Sequence, residues 1–125
     1  MLQAYSLNVD VPAETAIPFK NVTVDKGCST ELSGDSTIRL NECGVYKVHF
    51  DGSSSASTTV QLYVDGVAQP QAQSTGASLG FDTLVQVPKN NCNCPCASPI
   101  TIQVLNVADA AATLVNANIL VTKEV

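Results

Sequence analysis

The residues best equipped for chemistry in this 125-residue chain are five cysteines and a single histidine. Three of the thiols crowd into Asn90-Asn91-Cys92-Asn93-Cys94-Pro95-Cys96. Structural zinc sites space their ligands as repeated C-x2-C pairs, often completed by histidine. A C-x-C-x-C run with no neighbouring histidine is a poor zinc site within one chain. Brought together from several chains, Cys92, Cys94 and Cys96 could take a soft metal or form inter-chain disulfides; otherwise they stand as free thiols. The redox compartment decides between these states, because the cytosol keeps thiols reduced and an outer surface does not. Cys28 and Cys43 bracket Ser33-Gly34-Asp35, a turn signal between two strand-like runs. Antiparallel pairing there would bring the two cysteines together. They are then either a disulfide worth a few kcal/mol or two small buried residues.

His49 alternates with Tyr46, Val48 and Phe50 and shares its parity with Lys47. A nucleophile, or further ligands, would have to lie beside it for catalysis. No motif supplies one. Asp25, Asp35, Asp51, Asp65 and Asp82 fall mostly beside glycine or lysine, where turn preference accounts for them. Asp35, Asn41 and Glu42 are too dispersed for a calcium loop, and no glycine-rich phosphate cradle occurs. Asn21-Val22-Thr23 fits the N-glycosylation pattern, but Met1-Leu2-Gln3-Ala4-Tyr5 has neither the basic nor the apolar segment of a signal peptide. The expected protein is therefore not an enzyme. It is expected to carry no cofactor, a soft metal at the cysteine loop being the one alternative.

Composition narrows the class further. Charged residues make up 14% of the chain against 45% hydrophobic, and the net charge is −5. Globular domains carry about 25% charged residues, so this surface is either uncharged polar or hidden against partners. Lys20, Lys26, Arg39, Lys47, Lys89 and Lys123 are scattered rather than clustered. Phosphate backbones and anionic membranes are bound by clustered cations, so neither is an expected partner. No apolar run reaches the length of a membrane-spanning helix.

The elements that must position these residues are strands. Short alternating runs separated by turns mark an all-β, two-sheet sandwich in a single domain, 1–125. Tyr46, Val48 and Phe50 form one buried set, and Val60, Leu62 and Val64 another. Leu79, Phe81, Val85 and Val87 follow, then Ile100, Ile102 and Val104, then Val115, Ala117, Ile119 and Val121. Successive side chains on a strand point to opposite faces, so each set lines one side of a sheet. Asp65-Gly66 predicts a tight hairpin. The Ala-rich stretch from Val107 to Leu114 predicts a loop with a turn, being too short for a stable helix. Gly52 to Ser57 predicts a strand end or loop.

The opposite parity carries a second message. Leu114 and Leu120 flank Asn116 and Asn118 on the side away from the expected core, and Leu105 and Val107 stand opposite Ile100, Ile102 and Val104. An antiparallel sheet with one face in water normally places charge there. Apolar and uncharged polar residues instead predict contact with another subunit, unless they are the scattered apolar residues common on any surface.

Gly44-Val45-Tyr46-Lys47-Val48-His49-Phe50 resembles the G-x-Y-x-V-x-F strand of the tumour-necrosis-factor-like superfamily, which includes the complement globular head. Val60-Gln61-Leu62-Tyr63-Val64-Asp65-Gly66 is similar to its V-x-L-x-V-(N/D)-G hairpin. Ile17-Pro18-Phe19, Thr37-Ile38-Arg39-Leu40 and Ala117-Asn118-Ile119-Leu120-Val121 follow in matching order. The resemblance covers most of the chain and extends to bacterial and phage versions, including the C-terminal domain of collagen-like exosporium glycoproteins. It implies a jelly roll assembled as a three-fold homotrimer, with Leu105, Val107, Leu114, Asn116, Asn118 and Leu120 at the interface. Around a three-fold axis the cysteine loop would bring nine thiols together. No collagen-like repeat precedes the domain. A short trimer starting at Met1 therefore points to a structural protein of a phage virion, made in the host cytoplasm and bound to capsid or other virion proteins. The alternative is a binding module of a bacterial cell or spore surface.

Overall fold

The computed structural model describes residues 1–27, 29–88 and 100–124. Strands dominate it, and no helix occurs among the described residues. In chain order they are β1 (Leu2–Val11), β2 (Thr15–Ala16), β3 (Asn21–Asp25), β4 (Thr30–Ser33) and β5 (Thr37–Leu40). The long pair β6 (Gly44–Val64) and β7 (Val67–Val87) comes next, followed by β8 (Ile100–Asn106) and β9 (Ala112–Lys123). All the pairings are antiparallel.

The two layers are one hydrogen-bonded sheet folded at β6. Tyr46 to Ser54 of β6 pair with β9, which pairs in turn with β1, and β1 with β3. Val60 to Val64 pair instead with β8, which continues through β5 to β4. β7 follows β6 through both halves. The fold point is Ser53 to Thr58, where the β6–β7 register slips. Gly52 to Ser57 thus lie inside a strand rather than at its end. Small hydroxyl residues there let the backbone bend without crowding the core.

Between the layers lies the apolar set that alternation predicts. Tyr46, Val48, Phe50, Val60, Leu62, Ile102, Val104, Ala117, Ile119 and Val121 have no more than 1% exposure. Phe50 is the hub: Phe19 meets it edge-on at 6.4 Å between ring centroids, and Phe81 stacks on it at 5.4 Å. Burying an aromatic of this size is among the largest single stabilising terms in such a core. Tyr46 is buried with its hydroxyl occupied: it donates to the Glu42 carbonyl at 2.7 Å and accepts from the Glu42 amide at 3.2 Å.

Turn chemistry closes the hairpins. Val64 pairs with Val67, leaving Asp65 and Gly66 as a two-residue loop with φ of 49° and 80°. A type I′ turn needs positive φ at both central positions, which Asp-Gly accommodates. Thr30 to Ser33 pair with Thr37 to Leu40 around Gly34, giving the second predicted hairpin. Residues 107–111 form the predicted loop, and β9 begins at Ala112, earlier than expected. Asn106, buried at the loop's base, ties it down. It accepts from the Thr58 hydroxyl at 2.8 Å and donates toward the carbonyls of Val11 and Ala110 at 3.2 and 3.1 Å.

Candidate functional site

The outward face of the β1–β9–β6–β7 layer is the surface whose chemistry departs most from an ordinary solvated sheet. Its rows follow from register. Leu120 of β9 lies between Gln3 of β1 and His49 of β6. Asn118 lies between Tyr5 and Asp51, and Asn116 between Leu7 and Ser53. On β7, Leu84 is opposite Lys47 and Asp82 opposite His49. The β1–β9 half therefore presents Gln3, Tyr5, Leu7, Asn116, Asn118 and Leu120, all uncharged, and beyond the irregularity at Leu7 and Asn8 it ends on Asp10, which accepts from the Thr113 hydroxyl at 2.7 Å. Leu7 and Leu84 are 61% and 62% exposed.

Apart from Asp10 on β1, the charged groups of this face gather on β6 and β7. His49 is held from both sides: Nδ1 lies 2.7 Å from Asp82 Oδ1 and Nε2 lies 2.9 Å from Asp51 Oδ2. These hydrogen bonds raise the imidazole above its ordinary pKa, led by the bond to Asp51, while partial desolvation acts in the opposite sense. Each ring nitrogen faces a carboxylate, so no nitrogen is left to deprotonate a nucleophile. The carboxylates flank the ring instead of converging on a common point. Among the described residues, no group of histidine, cysteine, aspartate or glutamate is placed to hold a metal ion.

The structure divides the six residues predicted for the interface. Asn116, Asn118 and Leu120 lie together on this face, Asn116 exposed and the other two half-buried. Leu114 does not join them. It is 1% exposed and belongs to the core, whereas Val115, expected inside, is 46% exposed. The cause is a bulge. Ser53 pairs with Asn116 but the next residue, Ser54, pairs with Leu114, so Val115 is extra and the parity of β9 flips. The neighbouring strand flips in step: Ser6 and Val9 are buried while Leu7 and Asn8 between them are exposed, Asn8 with a φ of 52°. Leu105 and Val107 are separated from the rest. Leu105 lies on β8 in the other layer, where Ala16 of β2 pairs beside it, and Val107 lies in the following loop.

Alternation alone could not locate the bulge, but Gly52 is a signal for it. A Cβ at that position would lie 2.6 Å from the Asn116 carbonyl oxygen, so β6 and β9 approach there as only glycine permits. The Asp51–His49–Asp82 clamp was missed because Asp82 is distant in sequence and was assigned to a turn. The alternation on both strands was the clue to its cross-strand position.

Cys43 is half-buried and packs against the core. Its suggested partner Cys28 lies outside the described residues, as do Cys92, Cys94 and Cys96. Asn21 of the glycosylation pattern is exposed on β3. It borders an open hollow of about 390 Å³ between β1 and β3, lined also by Ser6, Leu7, Asn8, Val9, Asp10 and Lys20.

No family model matches the chain, and no curated protein matches its sequence. Solved structures do match its fold. The zebrafish complement 1qA globular domain superposes with a TM-score of 0.65 at 11% identity, over 95% of this chain and 94% of that one. Rabbit GITRL gives 0.62 at 12% identity, over 100% of this chain and 95% of that one. The vertex protein P5 of phage PRD1 gives 0.58 at 10% identity, over 94% and 93%. Identities this low establish the fold alone, and the fold is the TNF-like jelly roll expected from the strand motifs.

Proposed function

We propose that this protein is a non-enzymatic structural component of a phage particle, assembled as a homotrimer through the outward face of its β1–β9–β6–β7 layer. The observation that carries this reading is the state of that face. Tyr5, Leu7, Leu84 and Leu120 stand on it among uncharged Asn and Gln, and from Gln3 to Leu7 on β1 and from Asn116 to Leu120 on β9 it bears no charge. Such a face resembles the core of a subunit interface, from which charge is depleted, more than a solvated sheet. Its border supports the same conclusion. Among the described residues β7 pairs with β6 alone, leaving one side of a 21-residue strand open, with Asp82 as its single charge and Pro70, near its start, as its single proline. Open edges of this length invite association unless charge, proline or another subunit covers them. Closed symmetry is the usual outcome when a chain covers such surfaces with copies of itself, and the family resemblance favours three-fold symmetry.

The particle assignment draws on the fold's occurrence in the PRD1 vertex protein. A non-catalytic role is supported by the double carboxylate clamp on His49.

The assembly is tested by light scattering on the purified protein. Wild type is expected at three times the chain mass. Leu120→Lys, which places a cation between Gln3 and His49, is expected at one chain mass with its strand content retained by circular dichroism. A wild-type single subunit at micromolar concentration would overturn the assembly. Mass spectrometry of purified source particles tests the location, and absence of the chain from them would overturn that part.

A further inference from the structure

We propose that His49, held between Asp51 and Asp82, is a proton-controlled contact of the subunit interface, keeping the assembly closed when protonated and loosening it when neutral. This rests on the homotrimer reading above.

Hydrogen-bond geometry gives the switch its two states. An imidazolium has two N–H donors, and the clamp offers a carboxylate oxygen to each ring nitrogen, at 2.7 and 2.9 Å. A neutral imidazole has one donor and one lone pair. Deprotonation therefore turns one of the two contacts from a charge-assisted hydrogen bond into repulsion between a lone pair and a carboxylate.

Charge balance couples this change to assembly. Lys47 shares the face two residues before His49, and Asp51 follows two residues after it. Asp82 faces His49 from β7. From β9, Leu120 faces His49, with Asn118 and Thr122 on either side, and none of these carries charge. With His49 protonated, the two cations balance the two carboxylates and the patch is neutral. With His49 neutral, the patch keeps one negative charge. Burying a net charge against a neighbour is costly, and symmetry repeats the cost in each subunit.

The direction of the pH effect follows. A histidine whose pKa is raised by its partners contributes its stabilisation below the ordinary imidazole range and loses it as pH rises through the raised value. Trimer affinity should fall across that same interval, because covering the patch strengthens the preference for the protonated ring.

Sedimentation velocity between pH 5 and pH 9 tests this on the intact protein, with circular dichroism as the control for folding. The wild-type dissociation constant should rise at least about tenfold across the His49 transition, the effect of one pKa unit of linkage. His49→Gln and Asp82→Asn should each flatten the profile while keeping the fold. Should His49→Gln not fold, Asp82→Asn and the histidine proton resonance of wild type decide, since the resonance should titrate at higher pH in the trimer than in the dissociated chain. A stable trimer with no pH dependence overturns the switch and leaves the assembly standing. A pH dependence that survives both substitutions also overturns the switch. A single subunit at every pH overturns the assembly, and the switch with it.

Discussion

At the residue scale, the two buried polar side chains that matter most both use their polar atoms to fix backbone segments, Asn106 with the help of the Thr58 hydroxyl. Asn106 closes one end of the sandwich by joining the end of β1, the fold point of β6 and the loop before β9. Tyr46 plays the matching part near the start of β6. Its ring is fully buried, and its hydroxyl bonds to Glu42 at both carbonyl and amide and approaches the Ser29 carbonyl at 3.3 Å. The ring alone would satisfy the core, so the hydroxyl's role is to fix the segment that leads into β6. Tyr46→Phe keeps the packing and takes the hydroxyl from the Glu42 carbonyl and amide, while the Ser29 carbonyl keeps the Asn41 amide at 2.8 Å. It is expected to cost about 1–3 kcal/mol, the penalty for buried polar groups left without a partner. Urea denaturation should show a lower midpoint with an unchanged slope. An unchanged midpoint would mean that water reaches Glu42 and replaces the hydroxyl.

At the element scale, the most sensitive junction is where β6 meets β9. Gly52 pairs with Ala117 just before the bulge at Val115, and an added Cβ would meet the backbone of Asn116 and Ala117: the Asn116 oxygen at 2.6 Å and the Ala117 Cα at 3.3 Å. Neither can rotate away, so Gly52→Ala must part the strands. The expected cost is about 1–3 kcal/mol, in the range of overpacked cores. Faster amide hydrogen exchange should accompany it at Ala117 and Ile119, while β8 is spared. Exchange that is uniform across both layers would refute a local cause. The same junction marks how far the fold was legible in the sequence. Strands with one unbroken period were read correctly, as Tyr46, Val48 and Phe50 show, because burial selects one parity along the whole run. Asp65-Gly66 was legible because few residues tolerate two successive positive φ angles. Leu114 was misplaced because a single inserted residue reverses every assignment beyond it, and adjacent apolar residues such as Leu114 and Val115 suit either parity. Leu105 was grouped with Leu120 for a different reason. Both face outward, but which layer a strand joins depends on long-range pairing that no local pattern encodes. The His49 clamp combines both difficulties, since its members are near in space only after β6 and β7 have aligned.

At the scale of the whole molecule, the pairing of β1 with β9 ties the two ends of the chain together, with Leu2 opposite Val121. The core they close is shared by both layers, and Phe50 lies at its centre between Phe19 and Phe81. Because β6 contributes to both layers, damage at Phe50 cannot be confined to one of them. Phe50→Ala is expected to remove about 3–5 kcal/mol, the range for truncating a buried aromatic. Loss on that scale takes a large share of a small domain's total stability. Assembly changes what the measurement shows. If folded subunits are held in a trimer, unfolding and dissociation are coupled, so the apparent midpoint rises with protein concentration. The variant should therefore unfold at lower urea than wild type at every concentration, while its midpoint still climbs as the protein is concentrated. That climb should disappear in a Phe50→Ala, Leu120→Lys double variant. Phe50 lies inside and Leu120 outside, so their effects should be separable: one substitution lowers the stability of each subunit, the other removes the contribution of its neighbours. A concentration-independent midpoint in Phe50→Ala alone would mean that the core shapes the interface directly and that the two faces of β6 and β9 do not act independently.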